Sequence, residues 1–268
     1  MKWEIVQEST LQEGPSEDAH IVQMHQGVPF IAMVDGHGKE RDVHGKFLER
    51  STEVRAFAQG IATRLSELFG QCLQPSQLPA IFDVAHRELD HWRGRLVALE
   101  ERGLSTLGAS VSALTIVGDQ IHFVQAGDCP LYRLDQRGLH RLTRDHHPQH
   151  PHEANRLKSF IDRGEIEVRL KNGAHRVYRS GFPLGLMLTR SFGDWAYGDA
   201  VTHRPEVQVF PFDPQATYAL CSDGGAKVLE ASHRQEELNH KNLRSTQRAL
   251  YAEAVLPDDD VTIVLFQQ

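Results

Sequence analysis

Four acidic positions carry most of the chemistry this sequence could do. Glu17-Asp18 precede the apolar stretch 19–24. Asp35 follows the apolar run 30–34 and is itself followed by Gly36, His37 and Gly38. Asp223 follows 218–222, again with glycine after it, and Asp258-Asp259-Asp260 precede 261–264. Carboxylates at the ends of apolar strands converge where those strands are neighbours, and clustered carboxylates repel unless a cation compensates. An oxygen-only ligand set selects Mg²⁺ or Mn²⁺ over zinc. Two such ions close together can hold a hydroxide between them and clamp a phosphate. His37, flanked by glycines, then reads as a proton donor. Asp and Gly are also ordinary turn residues, and each acid taken singly is better read that way. Spacing alone does not decide between the two readings.

The elements that must position these residues follow from periodicity. Strands are predicted over 20–25 and 28–34 around a Gln26-Gly27 turn. A helix over about 43–70 places Phe47, Val54, Phe57, Ile61, Leu65 and Leu68 on one face. A second, over about 78–101, does the same with Leu78, Phe82, Ala85, Leu89, Trp92, Leu96 and Leu99. Both stripes read as core packing. A meander of strands follows at 109–117, 120–126, 130–134 and 139–142. Residues 145–182 read as polar and irregular with a helical piece near 152–163. Strands return at 206–212 and 216–222, a helix is expected over 232–254, and a terminal strand over 261–266. This order predicts an α+β fold of packed sheets with helices outside, not regular βαβ alternation.

Composition bounds the function. With 268 residues the chain can bury a real core. Its net charge of −7 argues against a nucleic-acid partner. Cys72, Cys129 and Cys221 lie far apart in no CxxC pattern, which fits a reducing compartment. MKWEIVQEST has no apolar signal core, and no apolar run approaches membrane-spanning length. A cytoplasmic protein without a membrane partner is expected. His146, His147, His150 and His152 fall in HHPQHPH, where two prolines predict a solvated loop in preference to a metal site.

The acidic stretches belong to a longer series of motifs: GPSEDAH (14–20), FIAMVDGHG (30–38), GASVSALTIVGDQIHFVQAGD (108–128), RLTRDHHP (141–148), LMLTRSFGD (186–194), RPEVQVF (204–210), YALCSDGG (218–225) and DDDVTIVLF (258–266). In this order, over nearly the whole chain, they resemble the metal-dependent protein phosphatases, the protein phosphatase type 2C group. The run DHHP, Glu153 and Arg156 with TRSFGD is more similar to the eukaryotic-type branch. The resemblance implies a four-layer α/β/β/α sandwich of two mainly antiparallel sheets flanked by helix pairs, formed by one domain over 1–268 with a flap-like segment at about 145–182. It implies hydrolysis of phosphoserine and phosphothreonine in a phosphoprotein partner, by a monomer, through a metal-bridged hydroxide. Two Mg²⁺ or Mn²⁺ ions are implied, one held by Asp35, Asp223 and Asp259, the other by Glu17, Asp35 and the Gly36 carbonyl. His37 would protonate the leaving oxygen and Asp18 would support the site from behind. Asp194 of SFGD is expected to fix a turn and not to bind metal.

Four departures from the family pattern bear on activity. Glu13 stands where a phosphate-gripping arginine is expected, and a carboxylate repels phosphate; Lys39 and Arg41 are the nearest candidate phosphate contacts. Lys39 also makes GHGK of the usual GHGG. Asp260 replaces the asparagine after Asp259 and adds negative charge. Asp128 survives at a position used for a third metal, but Lys227 replaces its companion, so a third ion is not expected. The alternatives are a catalytically weakened member acting as a phosphoprotein-binding regulator, or a phosphatase for small phosphate metabolites. The basic residues Lys158, Arg163, Arg169, Lys171, Arg176 and Arg179 of 145–182 read either as a solvated face or as a docking surface for phosphopeptide.

Overall fold

The computed structural model describes residues 1–8, 16–39, 52–71, 74–89, 106–231, 238, 242–251 and 259–268. Two antiparallel sheets face each other. One has the order β1 (Lys2–Glu8), β13 (Val261–Gln267), β12 (Thr217–Cys221), β6 (Leu131–Asp135), β7 (Gly138–Arg141). The other has the order β11 (Glu206–Pro211), β5 (Gln120–Ala126), β4 (Thr106–Val117), β3 (Val28–Lys39), β2 (Ala19–His25), with the short β10 (Phe192–Gly193) also on β4. Helices α1 (Thr52–Gln71) and α2 (Leu78–Glu88) cover the second sheet; α4 (Asp223–Glu230) and α5 (Leu243–Tyr251) cover the first. The expected four layers are therefore present.

Strand alternation builds the layers. On β3, Phe30, Ala32 and Val34 pack with Val54, Phe57, Ile61 and Leu65 of α1 and Phe82 of α2. Ile31 and Met33 point the other way, onto Tyr218, Leu220, Val264 and Phe266 of the facing sheet. Ala219, Cys221, Ile263 and Leu265 turn away again toward the outer helices. Each large side chain buried this way is worth about 1.5–3 kcal/mol. The predicted stripes are thus core, although Phe47, Trp92, Leu96 and Leu99 lie outside the described residues. Gln26 (φ +50°) and Gly27 (φ +82°) make the expected hairpin turn, of type I′. Among the described residues no helix is long and apolar enough to cross a membrane.

Four elements differ from the sequence expectation. β3 does not end at Asp35: it runs on to Lys39, pairing Asp35 with Ser110, His37 with Gly108 and Lys39 with Thr106. The apolar pattern stops because Ile31, Met33, Asp35 and His37 share one face, and that face opens at its end into a cleft. The SDGG stretch is no simple turn. It starts α4, where the Ser222 hydroxyl accepts the Gly225 N–H at 3.3 Å; of the helix expected over 232–254 the structure describes α5, and residues 232–237, 239–241 and 252–254 lie outside the described residues. Residues 145–182 hold α3 (Pro151–Asp162) and a hairpin of β8 (Ile166–Lys171) and β9 (Ala174–Arg179). Its Asn172-Gly173 turn, φ +52° and +79°, is a strong hairpin signal, but exposed strands carry little alternation to read. β1 was not expected either, yet Val6 is fully buried beneath α5 and the strand pairs β13 along its length.

Candidate active site

At one end of the sandwich lies a cleft of about 490 Å³. Its floor holds Glu17, Asp35, Gly36, His37, Asp128, Asp223 and Asp259, and one wall is the β8–β9 hairpin with the segment after it, through Lys171, Asn172, Arg176, Tyr178 and residues 183–188. Residues spread over the chain thus meet. Asp35 and His37 come from β3 and Asp128 from the loop after β5. Asp223 comes from the first turn of α4, and Asp259 from just before β13. Two contacts lock the convergence: the Asp223 N–H donates to Asp35 Oδ2 at 3.2 Å, and the Glu17 N–H donates to Asp260 Oδ2 at 2.8 Å. At Gly36 a Cβ would stand 2.8 Å from the Glu17 carbonyl oxygen, so only glycine lets Glu17 lie against β3.

The electrostatics are those of crowded acids. Burial first, then Asp18, Asp223, Asp128 and Asp259, push the Asp35 carboxyl well above its usual range. Burial and the charges of Asp260 and Asp223 bring Asp18, beneath the floor and 3% exposed, up to about 7, although Thr262 and Ser222 partly offset this. Asp259 rises to about 6, chiefly by burial and by Asp223. Asp128 goes the other way. Burial raises it, but His147 Nε2 at 3.3 Å and the Ser110 hydroxyl at 2.6 Å outweigh that and hold it below its usual range. The donors are oxygens in a concave, negatively charged site, which fits hard divalent cations. Among the described residues no three His, Cys, Asp or Glu side chains already stand at ligand spacing. An ion would have to draw them together.

His37 is not an isolated turn residue. Its Nε2 donates to Asp194 Oδ2 at 2.8 Å, and the same oxygen accepts the Ser191 hydroxyl at 2.5 Å. Burial lowers the imidazole pKa, but Asp194, with Asp128 and Asp223 adding, raises it on balance. Asp194 adopts the left-handed conformation expected of a turn residue, φ +48°. Sequence reading caught that role and missed its contact with His37. A Cβ at Gly108 would fall 2.2 Å from Asp194 Oδ2 and 2.4 Å from His37 Nε2, so glycine opposite His37 leaves the space in which the pair meets.

Other expectations are placed as follows. Asp260 accepts the Glu17 N–H, and its negative charge adds to those that raise Asp18. Lys227 sits not on Asp128 but on Asp223 Oδ2 at 3.0 Å and Asp259 Oδ2 at 2.5 Å. Half-burial lowers its pKa, but those two acids raise it on balance. His146 is no solvated loop residue: it is 2% exposed, its Nδ1 accepts the Gly127 N–H at 3.1 Å, and its Nε2 meets Glu206 at 3.0 Å. Of the basic residues in 145–182, Lys158, Arg163 and Arg169 pair with Asp162, Glu165 and Glu167. Arg176 and Arg179 donate to the Gly185 and Ala196 carbonyls. Only Lys171 and Arg176 of this set reach the cleft wall. Glu13, Arg41 and the Lys39 side chain lie outside the described residues. Sequence reading also missed Ser110 and His147; the DHHP motif was the available signal for the latter.

A family model for protein phosphatase 2C matches residues 12–233. The chain belongs to the protein phosphatase 2C family. Over 204 residues it is 25% identical to a probable protein phosphatase 2C 74 of Oryza sativa subsp. japonica, covering 75% of this chain and 46% of that protein. Over 178 residues it is 26% identical to the serine/threonine phosphatase stp of Listeria monocytogenes, covering 65% of this chain and 62% of that one. The chain thus spans less than two thirds of the length of either relative. The catalytic domain of the serine/threonine protein phosphatase PstP, solved with two manganese ions, superposes with a TM-score of 0.62 at 17% identity, over 98% of this chain and 96% of that one. At that identity the likeness is one of fold.

Proposed function

We propose that the chain is a divalent-metal-dependent phosphatase acting on phosphoserine and phosphothreonine in proteins. The observation that carries this is the convergence of Glu17, Asp35, Asp223 and Asp259 with His37 in one cleft. Asp35, Asp223 and Asp259 would hold one Mg²⁺ or Mn²⁺, and Glu17, Asp35 and the Gly36 carbonyl the other. When bound, such ions supply a water that is acidic at neutral pH and neutralise charge on the phosphoryl oxygens.

The chain's own residues do the rest. His37 protonates the departing serine or threonine oxygen. Its Nε2 is committed to Asp194, which leaves Nδ1 to carry that proton. Asp194 orients the ring and favours its charged form, while Asp18 backs the floor and Asp260 positions Glu17. Asp128 is already satisfied by Ser110 and His147, which supports two ions over three. Lys171 and Arg176 provide the positive side of the cleft, in keeping with a phosphorylated ligand. The net charge of −7 and the cysteine pattern favour a cytoplasmic monomer with neither nucleic acid nor membrane as partner. We take residues 1–268 as a single catalytic unit with a flap at about 145–182. Metal-dependent turnover of a phosphothreonine peptide, compared with p-nitrophenyl phosphate, tests the reading. Absence of any turnover with Mn²⁺ or Mg²⁺ would leave the weakened, phosphoprotein-binding alternative.

A further inference from the structure

Lys227 occupies an unexpected place. It lies one turn after Asp223 on α4, a spacing at which a lysine faces an aspartate on the same side of a helix. The usual outcome is a weak solvated pair. Lys227 instead reaches beyond its own helix, with Nζ 3.0 Å from Asp223 Oδ2 and 2.5 Å from Asp259 Oδ2. The two acids cannot easily part, because α4 and β13 are tied at their starts: the Ser222 N–H donates to the Thr262 carbonyl at 3.0 Å, and the Ser222 hydroxyl accepts the Thr262 N–H at 3.0 Å. The ammonium therefore bridges two carboxylates that the proposed function assigns to one metal ion, offsetting part of their charge. Its side chain is 56% exposed, so it can swing into solvent without unpacking the core.

We propose that Lys227 is a resident competitor for that ion: it holds Asp223 and Asp259 in the metal-free chain and must leave before a divalent cation can use them. This rests on the metal reading above and goes beyond it. It predicts that the ion site using Asp223 and Asp259 is the one weakened by Lys227. A displaced lysine loses two charge-assisted bonds and leaves a positive charge near the incoming ion, an effect worth on the order of tenfold in affinity at a partly exposed site.

The test is calorimetric titration of Mn²⁺ alone into chelator-treated full-length protein, as wild type, Lys227→Gln, Lys227→Arg and Asp223→Asn, with the melting temperature of each metal-free protein. Lys227→Gln should bind Mn²⁺ at that site about tenfold more tightly and melt lower when metal-free. Lys227→Arg, which keeps the charge, should stay within about twofold of wild type. Asp223→Asn should lose the weakened site. Equal Mn²⁺ affinity in wild type and Lys227→Gln would overturn the competitor role while leaving the metal reading intact. Absence of Mn²⁺ binding in every protein would overturn the metal reading and this inference with it. Should Lys227→Gln fail to fold, Lys227→Met takes its place: affinity raised about tenfold over wild type would support the role, and wild-type affinity would overturn it.

Discussion

Glu153 on α3 is 1% exposed and lies between two guanidiniums. Arg190 donates to its Oε1 from Nε at 2.9 Å and from Nη2 at 2.6 Å, and Arg156 donates to its Oε2 at 3.0 Å, an oxygen that also accepts the Thr189 hydroxyl at 2.8 Å. Burial would raise its pKa, but Arg190, then Arg156 and Thr189, bring it down to about 2. Asp35, partly buried at the cleft, meets other acids where Glu153 meets arginines, and its pKa moves the opposite way. A carboxylate with its cations built in fastens one segment to another: Glu153 ties α3 to residues 189–190, next to the SFGD stretch that carries Asp194. A carboxylate left among its own kind waits for a cation from elsewhere. The difference between these regions separates scaffold from site without any appeal to relatives.

The sharpest way to break that distinction is Asp35→Asn. Removal of the shared acid should lower Mn²⁺-stimulated turnover at least about 10³-fold, since the charge that would hold both ions is gone. The metal-free protein should melt no lower than wild type, because a repelled carboxylate has been replaced by a neutral amide. Steady-state assays beside thermal denaturation check both halves. Near-wild-type turnover at saturating metal, or a large loss of metal-free stability, would place Asp35 with Glu153 as a structural acid.

His37→Ala probes the same cleft by leaving group. A serine alkoxide needs a proton and nitrophenolate does not, so hydrolysis of a phosphoserine peptide should fall about 10²–10⁴-fold and that of p-nitrophenyl phosphate less than about tenfold. Asp194→Asn should reproduce this bias in weaker form, as expected of a residue that acts through His37. Equal losses on the two substrates would remove His37 from proton donation.

How much of this was legible beforehand depends on the kind of signal. Acids at the edges of apolar strands were legible as a group, but the choice of Asp35, Asp223 and Asp259 among them came from the family resemblance; packed sheets with helices outside were legible from strong periods, and the four-layer arrangement again from the resemblance. The extension of β3 through Asp35 and His37 was not, since a strand face that opens on a cleft stops being apolar. The β8–β9 hairpin was lost for a related reason: with both faces largely exposed it has almost no alternation. The contact between His37 and Asp194 joins residues 157 apart in sequence, and no local pattern encodes it. Lys227 was legible as a departure, but which acids it would meet depended on the register of α4 against β13.

Glu153→Gln sharpens the scaffold side. Breaking a buried, doubly paired carboxylate leaves two guanidiniums without their partner, a change that typically costs about 3–5 kcal/mol. Urea denaturation should register that loss while the activity of the remaining folded protein changes little. The pH dependence has a definite sign. Since the folded pKa is depressed from 4.5 to about 2, the stability from this group is complete above the ordinary glutamate range. It fades as pH falls through 4.5 toward 2, and the variant should lose that part of the acid profile. An unchanged profile would mean that Arg190 and Arg156 do not act on Glu153 in solution.

The smallest expected effect concerns the positive wall. Lys171 sits beside the Asn172-Gly173 turn, exposed and facing the cleft opposite the acids. Arg176, the other cation there, already donates to the Gly185 carbonyl at 3.1 Å. If Lys171 meets the phosphate or an acidic flank of the substrate, the contact exists before and during reaction alike, so its loss acts as uniform binding. An exposed charge pair of this kind is worth up to about 1 kcal/mol. Lys171→Ala should therefore raise KM for a phosphothreonine peptide about two- to fivefold with kcat nearly unchanged, and the effect should shrink as ionic strength rises. Glu13→Arg is the complementary change: a cation where the family pattern expects one should lower KM. A fall in kcat equal to the rise in KM for Lys171→Ala would move that lysine from the docking wall to the reacting phosphate. No change in either constant would leave Arg176 as the cation of this wall and make Lys171 a solvated strand-end residue.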